Sequence, residues 1–319
     1  MNLSRIQFFV VVLGLLVFPQ MGSCAAGSGA FTSIVKNGYE IFLSPATPAA
    51  GQALVVALRP LTESKVRSSR QFSRMWFRQR EFPLEAVAGG WRGVVAVPLG
   101  TEKGNYDLTL KLRSGTEIEL SVAVGDHDYG EQRLTVKNEM ATPMRPENLK
   151  KISQDRRDLK VAYNSSEPKV LFDNLFVPPL TSKLTSSFGT RRLLNGKPKS
   201  PHGGVDYKAR IGVPVPAAAR GRVVLAEELY YSGKIVIIDH GLSIFSLYMH
   251  LSEIDCRPGD LIASGQVVGK SGRSGRVTGP HLHFGVKIAG VFVDPLRFVD
   301  DSRHLLQIPW EDGSGQSKF

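Results

Sequence analysis

Two histidines stand one residue apart in "GPHLHFGVKIAG", residues 279–290. The stretch reads as a β-strand, in which residues i and i+2 share a face. His281 and His283 then project the same way, with Leu282 and Phe284 turned to the other side. Paired imidazoles are awkward in an apolar core, but useful where one binds a metal and the other moves a proton. A second segment, "HGGVD", carries His202 and Asp206. On an extended backbone, positions i and i+4 also share a face, and Gly203–Gly204 lets the chain bend until imidazole and carboxylate converge. Two N/O ligands from this segment and one imidazole from another leave a fourth position for water, the pattern of a catalytic rather than a structural zinc site. His250 ends the apolar strand "SLYMH". Tyr248, two residues earlier, is expected to share its strand face and to serve packing. His240 in "IDHG" is read as a satisfied turn residue.

The elements that must hold these residues are short strands. From about 176 to 300, runs such as "GRVVLAEELY", "KIVIIDHG" and "SIFSLYMHL" are separated by Gly and Pro at almost every junction, which predicts an all-β unit of antiparallel sheets. Residues 34–127 read the same way. "YEIFLS", "QALVVALRP", "GVVAVPL", "NYDLTLKL" and "EIELSVAVG" alternate with turn chemistry, which suggests a small immunoglobulin-like β-sandwich. Between them, 128–175 changes texture. Leu149, Ile152 and Leu159 fall near helical spacing behind Pro146 and Glu147, and a connecting helix is expected. The tail, 301–319, is polar and expected to be loose, with Trp310 able to dock.

HxxxD, a strand-ending histidine and HxH, in that order within one β-rich segment, resemble the M23 peptidases, the lysostaphin-type or LytM-type zinc metallopeptidases of bacterial cell walls. The matching stretches are "SSFGTRR", "HGGVDYKARIGVPVPAAARGRVV", "IVIIDHG", "LYMHL", "GDLIASGQVVGKSGRSGRVTGPHLHFGV" and "VDPLRF", which cover nearly all of 186–298. The resemblance implies that His202, Asp206 and His283 bind one zinc ion, while His250 and His281 flank the remaining position and assist catalysis. It also implies an endopeptidase acting on peptidoglycan stem peptides, a DD-endopeptidase first. The alternative is a non-catalytic LytM-type activator of cell-wall amidases, whose metal site would be degenerate. Two departures stand out: "YYSGKIVIIDH" lacks a glycine-asparagine turn common in the family, and Arg276 takes a place usually held by a small residue.

Composition agrees with an exported protein. The chain has 319 residues, enough for two folded units, with 42% hydrophobic and 22% charged residues. Arg5 followed by the apolar run Ile6–Phe18 and small residues at Ser23–Ala26 reads as a signal peptide over 1–25, too short for a membrane span. No transmembrane helix is expected in the mature chain. Cys24 in "MGSC" is a candidate lipidation site, although Met21 stands where the lipoprotein pattern favours Leu. Cys256 is the other cysteine, so no disulfide framework is available, and it reads as a packing residue. The net charge of +11 suits anionic polymers, and the densest basic run, Lys65 to Arg80, contains no acid. A solvated strand face or docking to an anionic envelope surface explains the run; nucleic acid does not suit an exported chain.

Overall fold

A computed structural model of the chain describes residues 31–62, 73–112, 114–134, 146–194, 197–198, 200–308 and 310. The leader with Cys24, residues 65–72 of the basic run and residues 311–319 lie outside them.

The first half is β1 (Thr32–Lys36), β2 (Tyr39–Ser44), β3 (Ala53–Pro60), β4 (Ser73–Phe77), β5 (Arg80–Val87), β6 (Gly90–Ala96), β7 (Gly104–Lys111) and β8 (Glu117–Val124). All are antiparallel, as expected. They pair in one continuous eight-stranded sheet, β1-β2-β3-β6-β5-β4-β7-β8, where two facing sheets of immunoglobulin style were anticipated. The sheet curls until its edge strands meet through side chains: Lys36 Nζ donates to the Glu119 carbonyl at 2.6 Å, and Asn37 Nδ2 to that of Glu117 at 3.2 Å. Strict alternation makes this possible. In β8, Ile118, Leu120, Val122 and Val124 are buried while the residues between them are exposed, so one face closes on an apolar interior.

After β9 (Glu131–Leu134) and the helix α1 (Pro146–Asn164), the second half holds β10 (Leu184–Ser186), β11 (Arg191–Leu194), β12 (Lys197–Pro198), β13 (Val205–Tyr207), β14 (Pro214–Pro216), β15 (Gly221–Leu229), β16 (Gly233–Asp239), β17 (Ile244–Leu251), β18 (Glu253–Ile254), β19 (Leu261–Ile262), β20 (Val267–Lys270), β21 (Leu282–Ile288) and β22 (Val291–Val293). The main sheet runs β10-β13-β21-β17-β16-β15-β19, with β22 beside β21. The one parallel pair among the described strands joins β9 to β11. Helix α1 lays Leu159, Ala162 and Tyr163 on Leu225, Leu229, Ile235, Ile237, Phe245 and Leu247, while Leu149 faces solvent.

A second helix, α2 (Pro295–Leu306), was not anticipated. Its buried face includes Asp301 and Ser302 beside Phe298 and Leu305, so the apolar period is broken. The local signal was the cap: Asp294 Oδ1 accepts the N–H groups of Leu296 and Arg297 at 3.0 and 3.3 Å, with Pro295 at the first helical position. Residues 301–306 therefore belong to a helix rather than a loose tail, and Trp310 does dock, its indole N–H donating to the Ala88 carbonyl at 3.0 Å. The two halves meet along α2 and the β21–β22 turn. Asp294 N–H donates to the Gly51 carbonyl at 2.7 Å, Arg80 to that of Ala289 at 3.1 Å, and His304 Nδ1 lies 3.0 Å from Ser44 Oγ.

Candidate metal centre

The sheet register brings the site together. Antiparallel pairing of β13 and β21 sets Asp206 directly opposite His283. His202 lies just before β13, and the Gly203–Gly204 link turns its ring back onto them. Gly204 has no room for a side chain: a Cβ there would stand 2.4 Å from the Phe284 carbonyl oxygen and 2.7 Å from His283 Nε2. The result is a tight triangle of buried ligand atoms. Asp206 Oδ1 lies 3.0 Å from His202 Nε2 and 2.8 Å from His283 Nδ1, and the two nitrogens are 3.0 Å apart.

This donor set fits a metal ion. His202 Nδ1 lies 2.9 Å from the Ser187 carbonyl, which can only accept, so Nδ1 carries the proton and Nε2 presents a lone pair to the triangle. Ser186 Oγ lies 3.2 Å from the same Nδ1. Ligands about 2.0 Å from a tetrahedral zinc stand roughly 3.3 Å from one another, close to the spacing seen. Burial pushes the Asp206 carboxyl up, but the adjoining His202 and His283 imidazoles outweigh it and hold the group well below the usual carboxylate range.

The other two expected residues converge on the same place. His281 Nε2 is 3.7 Å from Asp206 Oδ1, and the His250 ring lies 4.9 Å from that of His281 and 6.1 Å from that of His283, centre to centre. His250 Nδ1–H donates to the Ser274 carbonyl at 3.0 Å and His281 Nδ1–H to that of Gly279 at 2.9 Å. Each ring therefore keeps its Nε2 lone pair uncommitted to those carbonyls. Burial, helped by the neighbouring His283 and His281, pushes His250 down to about 3, so it stays neutral.

Tyr248 serves packing, but not on the face expected. Between Val236↔Tyr248 and Lys234↔Leu251, β16 advances two residues while β17 advances three. That bulge, with His250 at φ 64°, turns His250 out toward the metal triangle. Tyr248 instead faces Phe284 in the core, its hydroxyl accepting the Ala218 N–H at 2.7 Å. His240 is a satisfied buried residue as read, with Nδ1 on the Arg220 carbonyl at 2.8 Å and Nε2 2.7 Å from Ser246 Oγ. Burial pushes the Cys256 thiol up to about 11, as suits a packing residue. The orienting groups that sequence reasoning missed are mostly main-chain carbonyls, of Ser187, Ser274 and Gly279. Every residue type offers a carbonyl, so no sequence signal marks them; Ser186 lies within "SSFGTRR" but nothing in that stretch gives its role.

Fold and site together define a mainly antiparallel β protein with a His–Asp–His group able to hold a metal ion, flanked by two further imidazoles. The chain carries a domain of peptidase family M23, whose family model matches residues 200–295. Among relatives, peptidoglycan DD-endopeptidase ShyA of Vibrio cholerae is 39% identical over 122 residues, 37% of this chain and 28% of ShyA. Peptidoglycan DD-endopeptidase ShyB of the same organism is 29% identical over 201 residues, 61% of this chain and 46% of ShyB. The chain thus spans less than half the length of these relatives. A crystal structure of a Pseudomonas aeruginosa chain assigned to peptidase M23 superposes with a TM-score of 0.61 at 28% identity, covering 80% of this chain and 96% of that one.

Proposed function

We propose that this chain is a zinc endopeptidase of the cell envelope that hydrolyses peptide cross-links in peptidoglycan, as a DD-endopeptidase. The observation that carries the reading is the convergence of His202, Asp206 and His283 within 3.0 Å of one another, with His250 and His281 beside them. An amidase activator needs no such set, and its retention here favours catalysis. The relatives named DD-endopeptidases support the substrate class.

In this reading His202 Nε2, Asp206 Oδ1 and His283 Nδ1 hold one zinc ion, which would acidify water and polarise the scissile carbonyl. His250 and His281 supply the proton traffic. Each has Nδ1–H committed to a carbonyl, so Nε2 of one can accept a proton from the attacking water and later return one to the leaving amine. The other, taking its proton from solvent, would offer an N–H to the developing oxyanion. The catalytic unit is 176–300, joined through a 128–175 connector to the 34–127 β unit. The leader at 1–25 exports the chain, Cys24 is its candidate lipid anchor, and basic residues of the Lys65–Arg80 run dock it to anionic envelope. Among the described residues no helix is long and apolar enough to cross a membrane.

Mass analysis of muropeptides released from purified sacculi tests the reading. Cross-linked dimers converted to monomers by cleavage at a D-amino-acid bond are expected; sacculi left unchanged by the zinc-loaded chain overturn it.

A further inference from the structure

Helix α1 supplies none of the residues of the metal centre, yet one of its side chains is tied to the segment that holds His250. Asp155 is only 5% exposed. Its Oδ2 accepts the backbone N–H of Tyr230 at 2.7 Å, and Lys151, one turn earlier, places Nζ 2.8 Å from Oδ1. The helix reaches Tyr230 again where Asn148 Nδ2 donates to its hydroxyl at 3.2 Å.

Tyr230, Tyr231 and Ser232 form the turn between β15 and β16, and each spends one main-chain group on a different neighbour. Tyr230 N–H goes to Asp155. The Tyr231 carbonyl accepts the N–H of Arg276 at 3.0 Å, and the Ser232 carbonyl accepts the N–H of His250 at 2.9 Å. Gly233, next in line, packs so closely that a Cβ would stand 2.3 Å from Ser274 carbonyl carbon, and Ser274 is the residue whose carbonyl orients the His250 ring. The turn therefore grips His250 twice, by its main chain and, through the 274–276 segment, by its imidazole. His250 has a left-handed backbone, which a non-glycine residue keeps only where its surroundings over-determine it.

We infer that Asp155 is a positioning residue: by fixing the Tyr230–Ser232 turn to α1 it holds His250 in its bulged conformation facing the metal triangle. The inference rests on the endopeptidase reading for its kinetic consequence, and on geometry alone for its structural one. Asp155→Ala and Asp155→Asn in the full, zinc-loaded chain test it, with steady-state kinetics on a soluble cross-linked muropeptide and residue-resolved amide exchange by NMR. Asp155→Ala is expected to lower kcat roughly ten- to hundredfold, the scale of a small misplacement of a reacting group, with KM and zinc content unchanged. The amides of His250 and Arg276 should exchange faster while those of Val236 and Ile238 keep their protection. Asp155→Asn, which can still accept the Tyr230 N–H, should recover most of the rate. An unchanged kcat, or faster exchange spread evenly over β15–β17, overturns the inference. If Asp155→Ala does not fold, Asp155→Glu, which displaces the carboxylate by one methylene, makes the same comparison. A wild-type chain without turnover bears on the endopeptidase reading alone, and the amide-exchange comparison then decides the role of Asp155.

Discussion

Asp206 and His283 are direct cross-strand partners, opposite each other on β13 and β21 with Oδ1 and Nδ1 2.8 Å apart. Two of the three candidate ligands are thus fixed by strand register. A slip of one residue would send His283 to the core face and destroy the site. The third ligand, His202, is fixed by the tight Gly203–Gly204 link and by the Ser187 carbonyl.

The division of labour among the imidazoles has a metal readout. His202→Ala, Asp206→Ala and His283→Ala are each expected to reduce bound zinc from one per chain to near zero. His281→Ala and His250→Ala should keep the metal and lose about 10²- to 10⁴-fold in turnover, the usual worth of a general acid–base group. Metal analysis after zinc reconstitution checks this; equal loss of metal from His281→Ala and His283→Ala would make the assignment wrong.

Gly204→Ala should be costly for a steric reason. The new Cβ meets the Phe284 carbonyl oxygen at 2.4 Å and His283 Nε2 at 2.7 Å, so β13 must move away from β21. A loss of about 1–3 kcal/mol in stability is expected, together with weaker zinc binding. Denaturant unfolding of the metal-free chain and a zinc titration measure the two effects separately.

Acid should destabilise the second half through His240. Burial pushes this imidazole down to about 4 from its ordinary 6.5, so the folded chain keeps it neutral where the unfolded chain takes up a proton. Its contribution is whole above about pH 6.5 and drains away as pH falls toward about 4, at roughly 1.4 kcal/mol per pH unit. His240→Gln should be less stable at pH 7 but lose less Tm between pH 6.5 and pH 4.5 than the wild type. Parallel curves would exclude His240 as the acid-sensitive group.

The arginines at the β4–β5 hairpin are not equivalent. Arg74 pairs with Glu81, and Arg78 donates to Thr101 Oγ1 at 2.6 Å with its guanidinium 5.2 Å from the Tyr106 ring centre. Arg80 donates instead to the Ala289 carbonyl in the second half. Sedimentation with sacculi or anionic vesicles should weaken as salt rises, and further in Arg74→Gln with Arg78→Gln, while hydrolysis of a soluble peptide is unchanged. Arg80→Gln should also lower stability by about 1 kcal/mol, because it removes a hydrogen bond between the halves. Salt-independent sedimentation would leave the hairpin as a solvated surface.

What the sequence determined by itself was local and chemical. The spacing of His202 and Asp206 around two glycines, and of His281 and His283 at the entry to one strand, pointed to a candidate metal-and-proton site because side-chain direction follows from backbone periodicity within a few residues. Strict alternation in β8 likewise pointed to a strand with one buried face. The tertiary structure alone decided what depends on pairing between distant segments. Alternation along β17 put His250 with Tyr248, and only the extra residue opposite β16 turns His250 to the metal triangle. The curl of the first sheet into one continuous layer, the contact of Arg80 with Ala289, and the carbonyls of Ser187, Ser274 and Gly279 that set the imidazole tautomers are of the same kind. Register shifts and main-chain acceptors carry no residue type of their own, so they become visible only when the strands that share them are brought side by side.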